Sequence, residues 1–155
     1  MAVRSYVLRR SVGVVVDDVV ADTFLVLWRR LDEVPEEVRP WLLGVARRVL
    51  ADHRRATRRQ RSLAGRLARE RERPDVSPLP DGLSEELAGA LRGLTEQERE
   101  ALLLVAWDGL SPREAAVVVG CPSAAFRARL HRARQHVGSL VGIDEAAPNV
   151  TERLR

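Results

Sequence analysis

A chain of 155 residues has room for one ordinary domain or two small helical ones, and 45% hydrophobic residues exclude a wholly disordered polypeptide. Arg or Asp interrupts every apolar run before it reaches the length of a membrane span, and a lone Cys121 excludes an internal disulfide and argues against a thiolate metal site. The formal net charge of +4 is modest, but every one of the 26 Lys+Arg positions is arginine, whose planar fork of donors suits phosphates and base edges.

An all-arginine inventory also fits a GC-rich genome, so the distribution matters more than the total. Between Arg47 and Arg73 eleven arginines face three acids, Asp52, Glu70 and Glu72, whereas charges nearly balance elsewhere. That block points to nucleic acid. The first sixteen residues lack the unbroken apolar core and small-residue cleavage site of a secretory signal, which predicts a cytoplasmic protein.

Helical periodicity dominates from the start. Asp17 and Asp18 suit a helix N-terminus, and Val20, Phe24, Leu27 and Leu31 follow at i, i+4, i+7 and i+11, a predicted buried face. Pro35, Glu36 and Glu37 mark a loop. Pro40 fits the first turn of the next helix, whose apolar face is Leu42, Val45, Ala46, Val49 and Leu50 and which runs into the arginine block. Pro74, Pro78, Pro80 and Gly82 then form a linker.

Ser84 offers an N-cap to a helix with a Leu83, Leu87, Leu91 and Leu94 stripe. Thr95 with Glu98 makes a capping box for a helix through about Trp107. Ser111 with Glu114, and Pro112 at the first helical position, starts another, broken at Gly120-Cys121-Pro122. Ser123 can cap the last long helix, with Phe126, Leu130, Ala133, Val137 and Leu140 on its buried face. The tail from Gly142 is expected to fray. The fold class is therefore all-α: a helical unit at residues 1–72, a Pro-rich linker at 73–83, a second unit at 84–142 and a tail at 143–155.

A short helix, a glycine-containing turn and a longer helix between Ser111 and Val137 make a helix-turn-helix. The longer helix carries Ala124, Ala128, His131, Arg132 and Gln135 opposite its core stripe, flanked by Arg127, Arg129 and Arg134. Alanines near its N-terminus let it lie close to DNA, and the arginines reach phosphates or guanine edges. Among charge runs in general a solvated face is the commoner meaning; here caps, turn and helix lengths agree on DNA contact. Trp41 and Trp107 are expected as core anchors, and Cys121 as a small structural residue. No phosphate loop, nucleophile triad, paired carboxylates or metal-ligand spacing with His53, His131 and His136 appears, so neither catalysis nor a cofactor is expected.

Three segments in order resemble one family. "LTEQEREALLLVAWDGLSPREAAVVVGCPSAAFRARLHRAR" (Leu94–Arg134) resembles the promoter-reading domain of extracytoplasmic-function sigma factors of bacterial RNA polymerase. "DDVVADTFLVLWRRL" (Asp17–Leu31) is similar to the family's polymerase-docking helix, and "RPWLLGVARRVLADHRR" (Arg39–Arg55) to the helix that reads and opens the −10 element. The resemblance implies that Asp18, Asp22, Thr23, Phe24 and Trp28 dock on the clamp helices of the largest subunit of core RNA polymerase, with Phe24 in core packing and the two acids in ion pairs. It implies that Arg47, Arg48, Asp52, Arg54 and Arg55 meet the −10 element of promoter DNA, with the loop Asp32–Arg39 helping to form a pocket for flipped bases. Ala124, Ala125, Arg127, Ala128, Arg129, His131 and Arg132 would enter the major groove at the −35 element. An anti-sigma factor is a further implied partner.

The match is not uniform. Ala21 replaces the docking motif's usual Gln, Arg48 replaces the usual Asn of the family's "A-R-N" turn on the −10 helix, and Ala125 and Ala128 stand where Thr and Ser are common. The family's first helix is represented only by Tyr6, Val7 and Leu8 of its apolar face, which predicts a less stable first unit. The competing reading is a stand-alone helix-turn-helix regulator, favoured by Ala21 and the short first helix. The Asp17–Trp28 segment discriminates, because a pure DNA reader has no use for it.

Overall fold

The computed structural model describes residues 2–11, 14–65, 79 and 82–141, and every regular element among them is helical. Most of the predicted linker, residues 66–72 and the whole tail lie outside the described residues. Three helices precede the linker: α1 (Ala2–Leu8), α2 (Val16–Arg29) and α3 (Val38–Gly65). Four follow it: α4 (Glu85–Gly93), α5 (Glu96–Ala106), α6 (Pro112–Val119) and α7 (Ser123–Val141).

Local chemistry explains the second set. Ser84 Oγ accepts from the Leu87 N–H at 3.3 Å and starts α4. Both capping boxes form: Thr95 and Glu98 start α5, and Ser111 and Glu114 start α6 with Pro112 in its first turn. Gly120 ends α6 at φ 77°, a left-handed conformation that favours glycine, and its N–H bonds the Ala116 and Val117 carbonyls. Buried Arg99 donates to the Leu91 carbonyl at 2.8 Å and the Leu94 carbonyl at 3.1 Å, satisfying the C-terminus of α4.

The first set relies on packing. Val3, Tyr6 and Val7 bury one side of the seven-residue α1, too short a helix to persist alone. The expected stripe on α2 is rotated: Val19 and Thr23 are fully buried, while Phe24 and Leu31 are exposed. Thr23 tolerates burial because its hydroxyl donates to the Val19 carbonyl at 2.7 Å. Leu43, Ala46 and Leu50 form the inner face of α3, at i, i+3 and i+7.

These two sets do not hold separate cores. Val3, Tyr6, Val7, Val19, Leu43 and Leu50 join Leu104, Leu110, Ala115, Val118, Phe126 and Leu130 in one hydrophobic cluster. Each fully buried aliphatic side chain contributes about 1.5–3 kcal/mol, so this junction is a substantial part of the burial. It runs through the packing of α6 on α3. Trp107 departs from its expected role: it is 37% exposed at the end of α5 rather than a core anchor. Leu140, expected on the buried face of α7, is exposed as well, although Phe126, Leu130 and Ala133 are buried as predicted.

Candidate nucleic-acid interface

Helix α3 has 28 residues and is therefore roughly 42 Å long at 1.5 Å per residue. Its first half packs into the core but also carries Arg39, Arg47 and Arg48; its second half carries Arg54, Arg55, Arg58, Arg59 and Arg61. Arg48, Asp52 and Arg55 share an exposed face at i, i+4 and i+7, with Arg55 paired to Asp52. Arg54 is half-buried and donates to the Arg10 carbonyl. Arg47 is half-buried too, and its Nε and guanidinium donate at 2.6 and 2.9 Å to both carboxylate oxygens of Glu100 on α5. The hydrogen bond to Glu100 holds the Arg47 pKa above its ordinary value. Farther along, Arg55, Arg58, Arg59 and Ser62 line a shallow surface recess. Arg58 and Arg59 lay within the recognised arginine block, but nothing in their spacing separated them from its other members.

On α2 the five docking candidates divide. Thr23 is interior. Asp18, Asp22, Phe24 and Trp28 are exposed, Trp28 at 74%, and Ala21, Leu25 and Leu31 extend the surface they make. Phe24 is thus a surface residue, correcting its expected place in the core. Exposed apolar side chains and carboxylates thus lie side by side on this face of α2. Asp22 is fixed across the helix pair by His53 of α3, at 2.7 Å.

The helix-turn-helix forms as predicted from α6, the turn at Gly120 to Pro122, and α7. Ala124, Ala125, Arg127, Ala128, His131 and Arg132 are all exposed, and Arg129 is half-buried. Leu130 and Phe126 point the opposite way into the core, so the alanines and arginines share the outer surface. Cys121 is half-buried against the core beside this turn. Glu98 anchors α7 to α5: it accepts from the Thr95 N–H and hydroxyl and meets His136 Nδ1 at 3.2 Å. Burial alone would raise the Glu98 pKa, but these hydrogen bonds outweigh it and the net shift is downward.

Reasoning from sequence missed the contacts between the two sets. Asp108 is buried and accepts from Arg9 at 2.5 Å and Arg10 at 2.6 Å, one guanidinium per carboxylate oxygen. Arg39 donates to the Asp108 carbonyl at 2.6 Å. Arg10 also stacks on the Tyr6 ring, 3.9 Å from its centroid, and burial pushes the Tyr6 hydroxyl up to about 12. The only signal available was the adjacent pair Arg9-Arg10; Asp108 read simply as part of a helix stop.

No described helix is long and apolar enough to cross a membrane, and no group of His, Cys, Asp and Glu among the described residues could hold a metal ion. Residues 2–60 match the family described as Sigma-70 region 2, and residues 84–137 match Sigma-70, region 4. The chain is 39% identical over 126 residues to the ECF RNA polymerase sigma factor SigC of Mycobacterium tuberculosis, covering 76% of this chain and 65% of that protein. It therefore spans just under two thirds of that relative's length. It is 30% identical over 146 residues to the RNA polymerase sigma factor NccH of Alcaligenes xylosoxydans xylosoxydans, covering 85% of this chain and 77% of that protein. Among solved structures, CnrH of Cupriavidus metallidurans in complex with the cytosolic domain of CnrY aligns with a TM-score of 0.54 and 30% identity, over 92% of this chain and 79% of that one.

Proposed function

Because the chain belongs to the extracytoplasmic-function sigma factors of bacterial RNA polymerase, we propose that it is a dissociable promoter-specificity subunit that binds core polymerase and directs initiation at −10 and −35 elements. One observation carries the reading. The same chain presents an exposed apolar and acidic stripe on α2 and two arginine-bearing helices, α3 and α7. A stand-alone DNA reader has no use for the stripe.

In this assignment residues 1–72 form the polymerase-docking and −10-reading unit, 73–83 the linker, 84–142 the −35-reading unit and 143–155 a tail. Phe24 and Trp28 supply apolar contact to the polymerase clamp, and Asp18 and Asp22 supply charge; Thr23 supports them from inside. Arg47, Arg48, Arg54 and Arg55 follow the backbone of the −10 element, with Asp52 orienting Arg55. Ala124, Ala125 and Ala128 let α7 approach the major groove, while Arg127, Arg129, His131 and Arg132 contact bases or phosphates. The protein contributes binding energy and positioning, and the polymerase performs the bond chemistry. An anti-sigma factor is a further proposed partner, supported by the similar CnrH having been solved in complex with the cytosolic domain of CnrY.

Co-purification with bacterial core polymerase followed by promoter-dependent transcription tests the function. Asp18→Arg with Asp22→Arg is expected to abolish both association and transcripts. Undiminished transcription from that variant would overturn the docking assignment.

A further inference from the structure

We propose that two copies of this chain pair antiparallel along α2 and α3, the arginine end of each α3 lying against the acidic loop and outer face of α2 of the other. That face is the one assigned to polymerase docking, so the paired form cannot dock. This consequence rests on the sigma-factor reading; the pairing itself rests on geometry and charge.

Two surfaces remain once the contacts within the chain are accounted for. The first is the end of α3. Arg58 through Leu63 are all exposed, and six consecutive residues cover every side of a helix with about 3.6 residues per turn. No neighbouring helix buries any of them, and a helical stretch of this length gains little stability by itself. Leu63 is 69% exposed, and Arg55, Arg58, Arg59 and Ser62 line a recess suited to anionic groups. The second surface is the outer face of α2 with the loop that follows it. Phe24, Leu25, Trp28 and Leu31 are exposed there. Asp32, Glu36 and Glu37 come next, exposed and without an ion pair among the described residues.

Their placement makes the two surfaces complementary. Asp22 of α2 meets His53 of α3 at 2.7 Å, and residues 30–37 connect the helices, so α3 runs back along α2. Acids therefore sit at one end of α3 and arginines at the other, roughly 35 Å apart at 1.5 Å per residue. A two-fold axis across α3 sets each acidic end beside the other copy's arginine end, and both contacts form at once. Apolar groups follow the charges: Leu31 adjoins the acids and Leu63 the arginines, so the same pairing brings aliphatic groups together. Trp28, just before Leu31, offers its ring to a guanidinium of the other copy. A head-to-tail arrangement would leave one end of each copy uncovered and grow into chains. DNA competes for the arginine end, but a phosphate uses neither Leu63 nor the acids of the loop; a second copy uses all three.

Sedimentation velocity of the full chain tests the pairing without DNA or polymerase, from low to high micromolar concentration. A monomer–dimer equilibrium is expected. Raising salt from about 0.1 M to about 1 M shortens the screening length from ~10 Å to ~3 Å and should weaken the dimer about tenfold or more. A wild type that stays monomeric throughout, or grows beyond a dimer, overturns the proposal. Glu36→Arg with Glu37→Arg, and separately Arg59→Glu with Arg61→Glu, should each weaken self-pairing at least about tenfold, because like charges then meet at both contacts. Mixed in equal amounts, the loop-reversed and end-reversed proteins should pair with each other as tightly as the wild type, opposite charges again meeting at both contacts. One chain carrying all four substitutions should likewise pair with itself. Failure of both the mixture and the fully reversed chain to pair would sink the inference, as would pairing that appears only when a DNA duplex is added. Core polymerase added to the dimer should take up one copy and leave none paired; polymerase bound to an intact dimer overturns the occlusion. A dimer with no polymerase binding in either form would count against the sigma reading alone.

Discussion

The helices before the linker and those after it are made differently. Helix α4 has a Ser84 cap, α5 and α6 each have a full capping box, and α6 ends on a left-handed Gly120. Helix α2 starts at Val15 with no side-chain cap, and α1 is a seven-residue piece held by burial of Val3, Tyr6 and Val7. The C-terminal half is specified locally, the N-terminal half by what it packs against, and part of what it packs against is the C-terminal half. A region that borrows its core from its neighbour is coupled to that neighbour's position.

The largest test of this contrast is truncation of the shared core. Tyr6→Ala removes a ring that is 1% exposed, and Phe126→Ala one that is 0% exposed. Each is expected to cost about 3–5 kcal/mol in denaturant unfolding. If the core is continuous, each variant shifts a single transition seen equally by probes in α3 and α7. Two separated transitions, each sensitive to only one substitution, would show two independent units.

Next in size is DNA reading by α7. If Arg127 meets a base edge, Arg127→Ala should cost about 1–3 kcal/mol and relax preference at one position of the −35 element. If Arg132 holds phosphate, Arg132→Ala should weaken all sequences alike and flatten the salt dependence. Binding measured across single-base variants at two salt concentrations separates the roles; exchanged phenotypes would reverse the assigned orientation of α7.

The same local-versus-borrowed difference decided what could be read in advance. The Ser84, Thr95 and Ser111 caps, the Gly120 stop and the Phe126–Leu130–Ala133 stripe are signals within a few residues, and each appears where the spacing predicts, whereas Ser123 is the first helical residue of α7 and not its cap. The stripe on α2 was misread because Phe24 and Leu31 share helical spacing with Val20, and apolar spacing alone does not say whether a face meets a core or a partner. Thr23, polar by type, gave no sign of its burial until its bond to the Val19 carbonyl was visible. Arg47 and Asp108 were each legible as charges, but their partners, Glu100 and Arg9 with Arg10, lie 53 to 99 residues away. Nothing in a linear pattern pairs them.

A smaller effect sharpens the contrast from both sides. Thr95→Ala or Ser111→Ala should cost about 0.5–2 kcal/mol, felt first in α5 to α7. Val15 is exposed with extended φ and ψ of −73° and 109°, so Val15→Ser should fit there and stabilise α2 by up to about 1 kcal/mol. Thermal melts of the three variants measure both directions; no gain from Val15→Ser would mean α2 is limited by packing alone.

The smallest expected effect is a pH dependence confined to the capping boxes. Bonds from the Ser111 hydroxyl and N–H hold the Glu114 pKa below its ordinary 4.5, and Glu98 is lowered despite its burial. A carboxylate whose folded pKa is depressed binds fewer protons folded than unfolded. Its contribution is therefore complete above about pH 4.5 and is lost as pH falls through the folded value. Glutamine keeps the shape and part of the hydrogen bonding but does not titrate, so Glu98→Gln with Glu114→Gln should melt below the wild type at neutral pH and converge with it in acid. A gap between the two melting profiles that stays constant down to pH 3 would show that the boxes act by shape and not by charge.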